Sequence, residues 1–228
     1  MPYIGVRKLR DLLQSKDEIH AGRKLIRRLM NEMGIRAIYP KPNLSKPGKE
    51  HKKFPYLLKN KAINFSNQVW ALDITYVPMK HGHMYLTAII DWYSRFVIGW
   101  TLSDTLDTAP IIEALTQAME QYGIPGIINS DQGAQFASEA YINLLKTNGI
   151  RQSMDGKARW VDNVIIERWF RSLKTEYIYI NDYASPRELR TGIEAYIRDY
   201  NTIRPHQSWN YETPVTVYNS SFSTNEAA

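Results

Sequence analysis

Asp73 stands in the middle of W-A-L-D-I-T-Y-V (70–77), a stretch otherwise suited to a buried β-strand. An unpaired carboxylate in such a strand is costly unless something compensates it. A second carboxylate, Asp131, ends the short apolar run G-I-I-N-S-D (126–131), just before Gln132 and Gly133, where the chain must turn. Strand ends that lead into turns are favoured positions for reactive groups. A third, Glu167, lies in a helical pattern further along. The chain between Asp131 and Glu167 holds one helix, one strand and one loop, enough to bring Glu167 back beside Asp131. Three converging carboxylates repel one another and hold protons more tightly until cations neutralise them. Hard, oxygen-seeking divalent ions suit such a site, Mg²⁺ first, with Mn²⁺ able to substitute. Two ions ~4 Å apart would activate a water or a 3′-hydroxyl and steady the leaving oxygen of a phosphodiester. Asp73, Asp131 and Glu167 are therefore the candidate catalytic and metal-ligating residues.

Around Glu167, the residues Asn163, Glu167, Arg171 and Lys174 recur at spacings of four, four and three, one face of a helix. On an arbitrary helix such a face is a surface salt-bridge stripe; beside a catalytic carboxylate, the two cations are phosphate contacts. The preceding loop, M-D-G-K-A-R-W-V (154–161), offers Lys157 and Arg159 either as DNA contacts or as solvated charges, with Gly156 to let it move. Gln132, Gly133 and Gln135 shape the turn behind Asp131, and of these Gly133 has the backbone reason to be there. Asp91, in D-W-Y-S-R, is the rival carboxylate; at a hairpin turn it is expected to bond local backbone or pair with Arg95. Asp104, Asp107, Asp155 and Asp162 have turn or capping explanations, and His81-Gly-His83 reads as a polar hairpin loop, not a metal pair.

These residues need a frame. The first strand covers about 69–77, with Ala71, Asp73, Thr75 and Val77 on one face and Trp70, Leu72, Ile74 and Tyr76 on the other. M-Y-L-T-A-I-I-D and R-F-V-I-G-W form a hairpin through D-W-Y-S, and residues 110–122 form an amphipathic helix. Residues 126–131 are a short strand, Ser138 caps a helix through Thr147, and 149–153 make a fifth strand. Asp162 is expected to cap a helix to about Tyr177, and S-P-R-E (185–188) is a capping box opening a helix through Thr202. The order of elements predicts an α/β fold, a five-stranded mixed sheet flanked by helices.

Upstream, residues 1–38 are helical, with Leu25, Ile26, Leu29, Met30 and Met33 apolar and Arg23, Lys24, Arg27 and Arg28 on the opposite face. That face is either the DNA-contacting side of a helix-turn-helix or an ordinary solvated surface. Residues 39–66 are a Pro- and Lys-rich linker suited to lying along phosphates. Residues 67–180 form the core and 181–228 a helical C-terminal extension. Lys plus Arg total 29 against 23 for Asp plus Glu, which favours a polyanionic partner, nucleic acid first. There are 0 cysteines, which excludes disulfides, thiolate zinc sites and cysteine nucleophiles and is compatible with a reducing cytosol. No stretch is long and apolar enough to span a bilayer, and no membrane partner is expected.

W-A-L-D-I-T-Y, N-S-D-Q-G-A-Q-F and D-N-V-I-I-E-R-W-F-R-S-L-K-T-E, in that order and spacing, resemble the signature of the retroviral-integrase superfamily, and more closely the transposases of the insertion sequence three family. The downstream Y-N-T-I-R-P-H and Y-E-T-P are similar to that family's tail, and Y-P-K-P-N-L-S-K-P to its linker. The resemblance implies an RNase H-like core, a DDE triad on Asp73, Asp131 and Glu167, and Mg²⁺-dependent nicking and strand transfer at the ends of a mobile element. Lys174 matches the basic residue that integrase-like proteins place two turns after the glutamate. The resemblance also implies element ends and target DNA as partners, and an upstream-frame DNA-binding protein joined by frameshifting. A homo-oligomeric synaptic complex and a bacterial cytoplasmic location on the nucleoid are implied as well. The chain begins later than that family's usual second frame, so a shortened DNA-binding repressor stands as an alternative, beside a structure-selective nuclease on the same fold.

Overall fold

Along 70–77 successive side chains turn to opposite faces of one strand, and both faces are buried from Trp70 to Leu72. In the computed structural model, which describes residues 4–36, 53–155 and 163–223, the chain forms two compact units, Met1–Lys46 and Pro47–Ala228. In the first, α1 (Val6–Asp17) packs on α2 (Arg23–Glu32). Of the expected apolar face of α2 only Ile26 and Met30 are buried, whereas Leu25, Leu29 and Met33 are exposed. Within this unit a single partner helix covers only a narrow stripe.

The second unit holds the expected five-stranded mixed sheet. Its strands are β1 (Val69–Pro78), β2 (His83–Asp91), β3 (Val97–Ser103), β4 (Ile127–Ser130) and β5 (Arg151–Met154), in the spatial order β3-β2-β1-β4-β5. β1–β2 and β2–β3 pair antiparallel, and β1–β4 and β4–β5 pair parallel. Ala71 and Val77 face α5 (Val164–Leu173) and α6 (Pro186–Thr202), meeting Ile166, Phe170 and Ile193. Trp70 and Leu72 face α3 (Thr108–Tyr122) and α4 (Glu139–Thr147), meeting Leu115 and Tyr141. Both clusters are built of apolar side chains, and the carboxylate of Asp73 interrupts β1 where the sequence marks it.

Local signals act as the sequence predicts at two helix starts. Ser138 Oγ accepts from Tyr141 N–H (3.3 Å) at the head of α4. Ser185 Oγ accepts from Glu188 N–H (3.2 Å) at the head of α6, while the Glu188 carboxylate accepts from Ala184 N–H (2.9 Å), one residue earlier than a standard capping box.

Other segments differ from expectation. Asp162 lies outside the described residues, and α5 begins at Val164 with Asn163 at its N-cap. The helix stops at Leu173 and widens into a π turn over Lys174–Ile178, in which Tyr179 N–H bonds the Lys174 carbonyl (2.8 Å). Residues 39–52 of the expected linker lie outside the described residues. Its remainder packs onto the larger unit: Leu58 is buried against Val69 and Ile127, and Leu57 N–H donates to Ser153 Oγ (3.0 Å). The C-terminal stretch, expected as a helical extension of the core, contributes side chains to both clusters. Ile193 and Ile197 of α6 complete one core, and Tyr218 of α7 (Pro214–Ser223) stacks on Phe96 (4.9 Å) in the other.

Candidate active site

The parallel pairings fix the site. Val69 and Ala71 of β1 lie beside Ile127 and Asn129 of β4, and Ile127 and Asn129 beside Arg151 and Ser153 of β5. Counting two residues on from Ala71, Asn129 and Ser153 reaches Asp73, Asp131 and Asp155. The three aspartates therefore fall in one row across three adjacent strands, Asp131 and Asp155 just past the ends of β4 and β5 and Asp73 midway along β1, ~5 Å from strand to strand. Asp155 N–H bonds the Ser130 carbonyl (3.0 Å), which continues the ladder to that level. Below them the row is polar: Asn129 donates from Nδ2 to Asp155 (2.8 Å) and accepts from Ser153 Oγ (2.8 Å). Asp155, expected only to serve a turn, is thus a fourth acidic group at the site. Its signal was its offset from the start of β5, which matches that of Asp131 from β4 but acquires meaning only through pairing register.

Glu167 comes from α5, which packs across β1. It lines a cavity of about 330 Å³ together with Asp73, Thr75, Arg171, Lys174 and Tyr179. The Asp73 carboxyl is pushed up from 3.8 to about 7, chiefly by burial, then by Asp131, with Glu167 and Asp155 adding; the Ile74 N–H (2.8 Å) opposes them. Asp131 is raised too, by burial of its inner flank although much of the residue is open to solvent, with Gly133 N–H (2.9 Å) pulling the other way. Lys174 is lowered by burial, against the attraction of Asp73, and its ammonium donates to Thr75 Oγ1 (2.6 Å).

The donor set suits a hard divalent cation. It is all carboxylate oxygen, and the mutual repulsion that raises Asp73 is what a positive ion offsets. One oxygen each of Asp73 and Asp131 is turned onto backbone N–H, and among the described residues no three acidic or histidine side chains are already drawn together as a ligand cluster.

Glu167, Arg171 and Lys174 share the cavity, as their spacing predicts. Asn163 does not continue that face. It sits outside the first helical turn, buried, with Oδ1 unpartnered among the described residues. Lys157 and Arg159, like Gly156, lie outside the described residues. Arg27 and Arg28 are exposed on α2 of the first unit, Arg28 pairing with Glu32 (3.5 Å). Gly133 needs correction: its φ of −60° is open to any residue. The demand is steric, because a Cβ there would stand 2.9 Å from Asp131 Oδ1. Asp91 is structural, fully buried, accepting from Ser94 N–H (2.8 Å), Ser94 Oγ (2.6 Å) and Asn67 N–H (2.8 Å).

Comparison with known proteins agrees with this architecture. The Integrase core domain family matches residues 64–159 and, in a second form, 148–214, and an HTH-like domain matches residues 2–43. The transposase for insertion sequence element IS904 of Lactococcus lactis subsp. lactis (strain IL1403) is 32% identical over 200 residues, covering 84% of this chain and 78% of that one. Transposase InsF for insertion sequence IS3A of Escherichia coli (strain K12) is 38% identical over 146 residues, covering 63% of this chain but only 50% of its relative. Among solved structures, the HTLV-2 integrase catalytic core domain in complex with magnesium superimposes with a TM-score of 0.55 at 20% identity, covering 68% of this chain and 97% of that one. The catalytic core domain of BIV integrase gives 0.56 at 18% identity, covering 70% and 99%. At such identities the likeness is one of fold, the RNase H-like fold.

Proposed function

This chain belongs to the insertion-sequence transposases of the IS3 type, polynucleotidyl transferases with an integrase core, and on that premise we propose that Asp73, Asp131 and Glu167 are the groups with which it nicks and joins DNA. The reading rests on one observation above others: the parallel register that sets Asp73 level with Asp131, with Glu167 facing Asp73 across a shared cavity.

Asp73 and Asp131 would hold one Mg²⁺ jointly, and Asp73 with Glu167 a second. Bound there, the ions supply Lewis-acid activation of a water or 3′-hydroxyl and stabilise the departing oxygen. The protein's own part is positioning and charge. The apolar core beneath β1 fixes the height of Asp73, α5 carries Glu167 to it, and Thr75 holds the Lys174 ammonium beside them. Arg171 and Lys174 neutralise the backbone phosphates flanking the scissile bond. Water attacks first, releasing a 3′-hydroxyl; that hydroxyl then attacks a target phosphodiester, with no covalent enzyme intermediate. The first unit, through Arg27 and Arg28, adds contacts to element DNA, and the active species is a homo-oligomer joined to an upstream-frame DNA-binding partner.

The test is incubation of the protein with labelled element ends and Mg²⁺. Joined products are expected, and Asp73→Asn, Asp131→Asn and Glu167→Gln should each abolish them. Near-wild-type joining by any of the three refutes the assignment. Cleavage without joining would indicate a nuclease, and binding alone a repressor.

A further inference from the structure

α5 has a second cavity on its other flank, about 610 Å³, between the β2–β3 turn and the segment that follows α6. Four basic side chains line it: Arg95, Arg168, Arg204 and His206. Two of them belong to the motif Y-N-T-I-R-P-H, for which the carboxylate site has no use.

Among the described residues, the acidic groups facing this cluster are Glu176 and Asp91. Glu176 is engaged in a two-point pair with Arg204 and accepts from Tyr196 Oη (2.9 Å). Asp91 is committed to Ser94 and Asn67. Arg95 donates to the Trp92 carbonyl, and Arg168 has no ion-pair partner among the described residues. Burial lowers Arg95, against the pull of Tyr200 and Asp91 and with a smaller push from Arg168, while burial and then Arg204 and Arg95 lower His206.

Independent of charge, two ring nitrogens of the lining residues have no hydrogen-bond partner among the described residues. They are Nε1 of Trp169, a residue only 3% exposed, and Nε2 of His206. A buried N–H without an acceptor forfeits its hydration with nothing in return, so it is rarely left that way without cause. A tetrahedral oxyanion would supply both the acceptors and the charge.

DNA is the source that fits. Glu167 and Arg168 are consecutive and project ~100° apart on the same helical turn, towards different cavities, which on a helix ~10–12 Å across with its side chains puts their tips ~8 Å apart. One strand advances ~3.4 Å per nucleotide, so the two positions are about two to three nucleotides apart. We propose that this cavity, with Arg95, Arg168 and His206 as its basic wall and the Trp169 indole N–H as donor, binds a backbone phosphate of the DNA strand whose scissile phosphate lies at the carboxylates. The proposal rests on the transposase reading of that first site.

Arg168 is exposed, so its replacement should leave the fold intact. With the full chain and a labelled element-end duplex, log K against log salt is measured for wild type, Arg168→Ala, Arg168→Lys and, as a control outside both cavities, Arg198→Ala. Arg168→Ala should lower the slope by about 0.9, one phosphate's share, with Arg168→Lys and Arg198→Ala near wild type. In ¹⁵N spectra the Trp169 indole N–H should shift with DNA. An unchanged slope for Arg168→Ala in a protein that still binds and joins DNA overturns this inference alone. A wild type with no affinity for DNA overturns the transposase reading beneath it. An indole shift with inorganic phosphate and none with DNA overturns the assignment of the anion.

Discussion

The Lys174 ammonium donates to Thr75 Oγ1 at 2.6 Å, tying the π turn that follows α5 to β1 one pleat beyond Asp73. The bond fixes a lysine that lines the cavity of the carboxylates, so the hydroxyl of Thr75 has a positioning role that its place in a strand does not reveal. Thr75→Val keeps the shape and removes the acceptor. It should slow strand transfer about 10-fold, equivalent to ~1.4 kcal/mol, while Thr75→Ser stays near wild type. Combined with Lys174→Ala, the losses should be less than additive in a double-mutant cycle of joining rates.

Asp73 makes stability depend on pH in a definite direction. Its folded value, about 7, lies above the ordinary 3.8, so the folded state holds the proton more tightly than the unfolded one. The stabilisation is complete below about pH 4 and is lost as pH rises towards 7, a change of at most a few kcal/mol at ~1.4 kcal/mol per pH unit. Urea melts in chelator should show wild-type stability falling across that window. Asp73→Asn should flatten the profile while abolishing joining, and Asp155→Asn should lower the Asp73 value seen by NMR titration.

Gly133→Ala places a methyl 2.9 Å from Asp131 Oδ1 and disturbs the Gly133 N–H bond that holds that carboxylate. Joining should fall at least 10-fold at low Mg²⁺, with partial recovery as the metal concentration rises. The thermal midpoint should move little, since the turn is exposed at Asp131.

Asn201 supports the fold and not the chemistry. Its side chain accepts from Val97 N–H (2.9 Å) and donates to Val97 C=O (2.9 Å), closing the start of β3 from α6. Asn201→Ala leaves both backbone groups unsatisfied in a buried place and should cost about 2–4 kcal/mol in denaturant unfolding. Asn201→Asp, which retains only the acceptor, should fall between.

Local pattern in the sequence determined a good deal of this protein. Alternation along 70–77 places Asp73 on the Ala71–Val77 face, Ser138 and Ser185 start their helices, and the spacing of Glu167, Arg171 and Lys174 gathers them on one wall. Those features follow from geometry over two to four residues, which the order of side chains contains. Tertiary structure alone decided the rest. Asp155 joins the acidic row only because β5 pairs in register with β4, and Asn163 leaves the helical face because α5 starts one residue after it. Arg95, Arg168 and His206 meet only because a hairpin turn, a helix flank and the end of α6 close on one space. Contacts between segments so distant along the chain are set by sheet pairing and by the two packed cores, and no short-range periodicity encodes them.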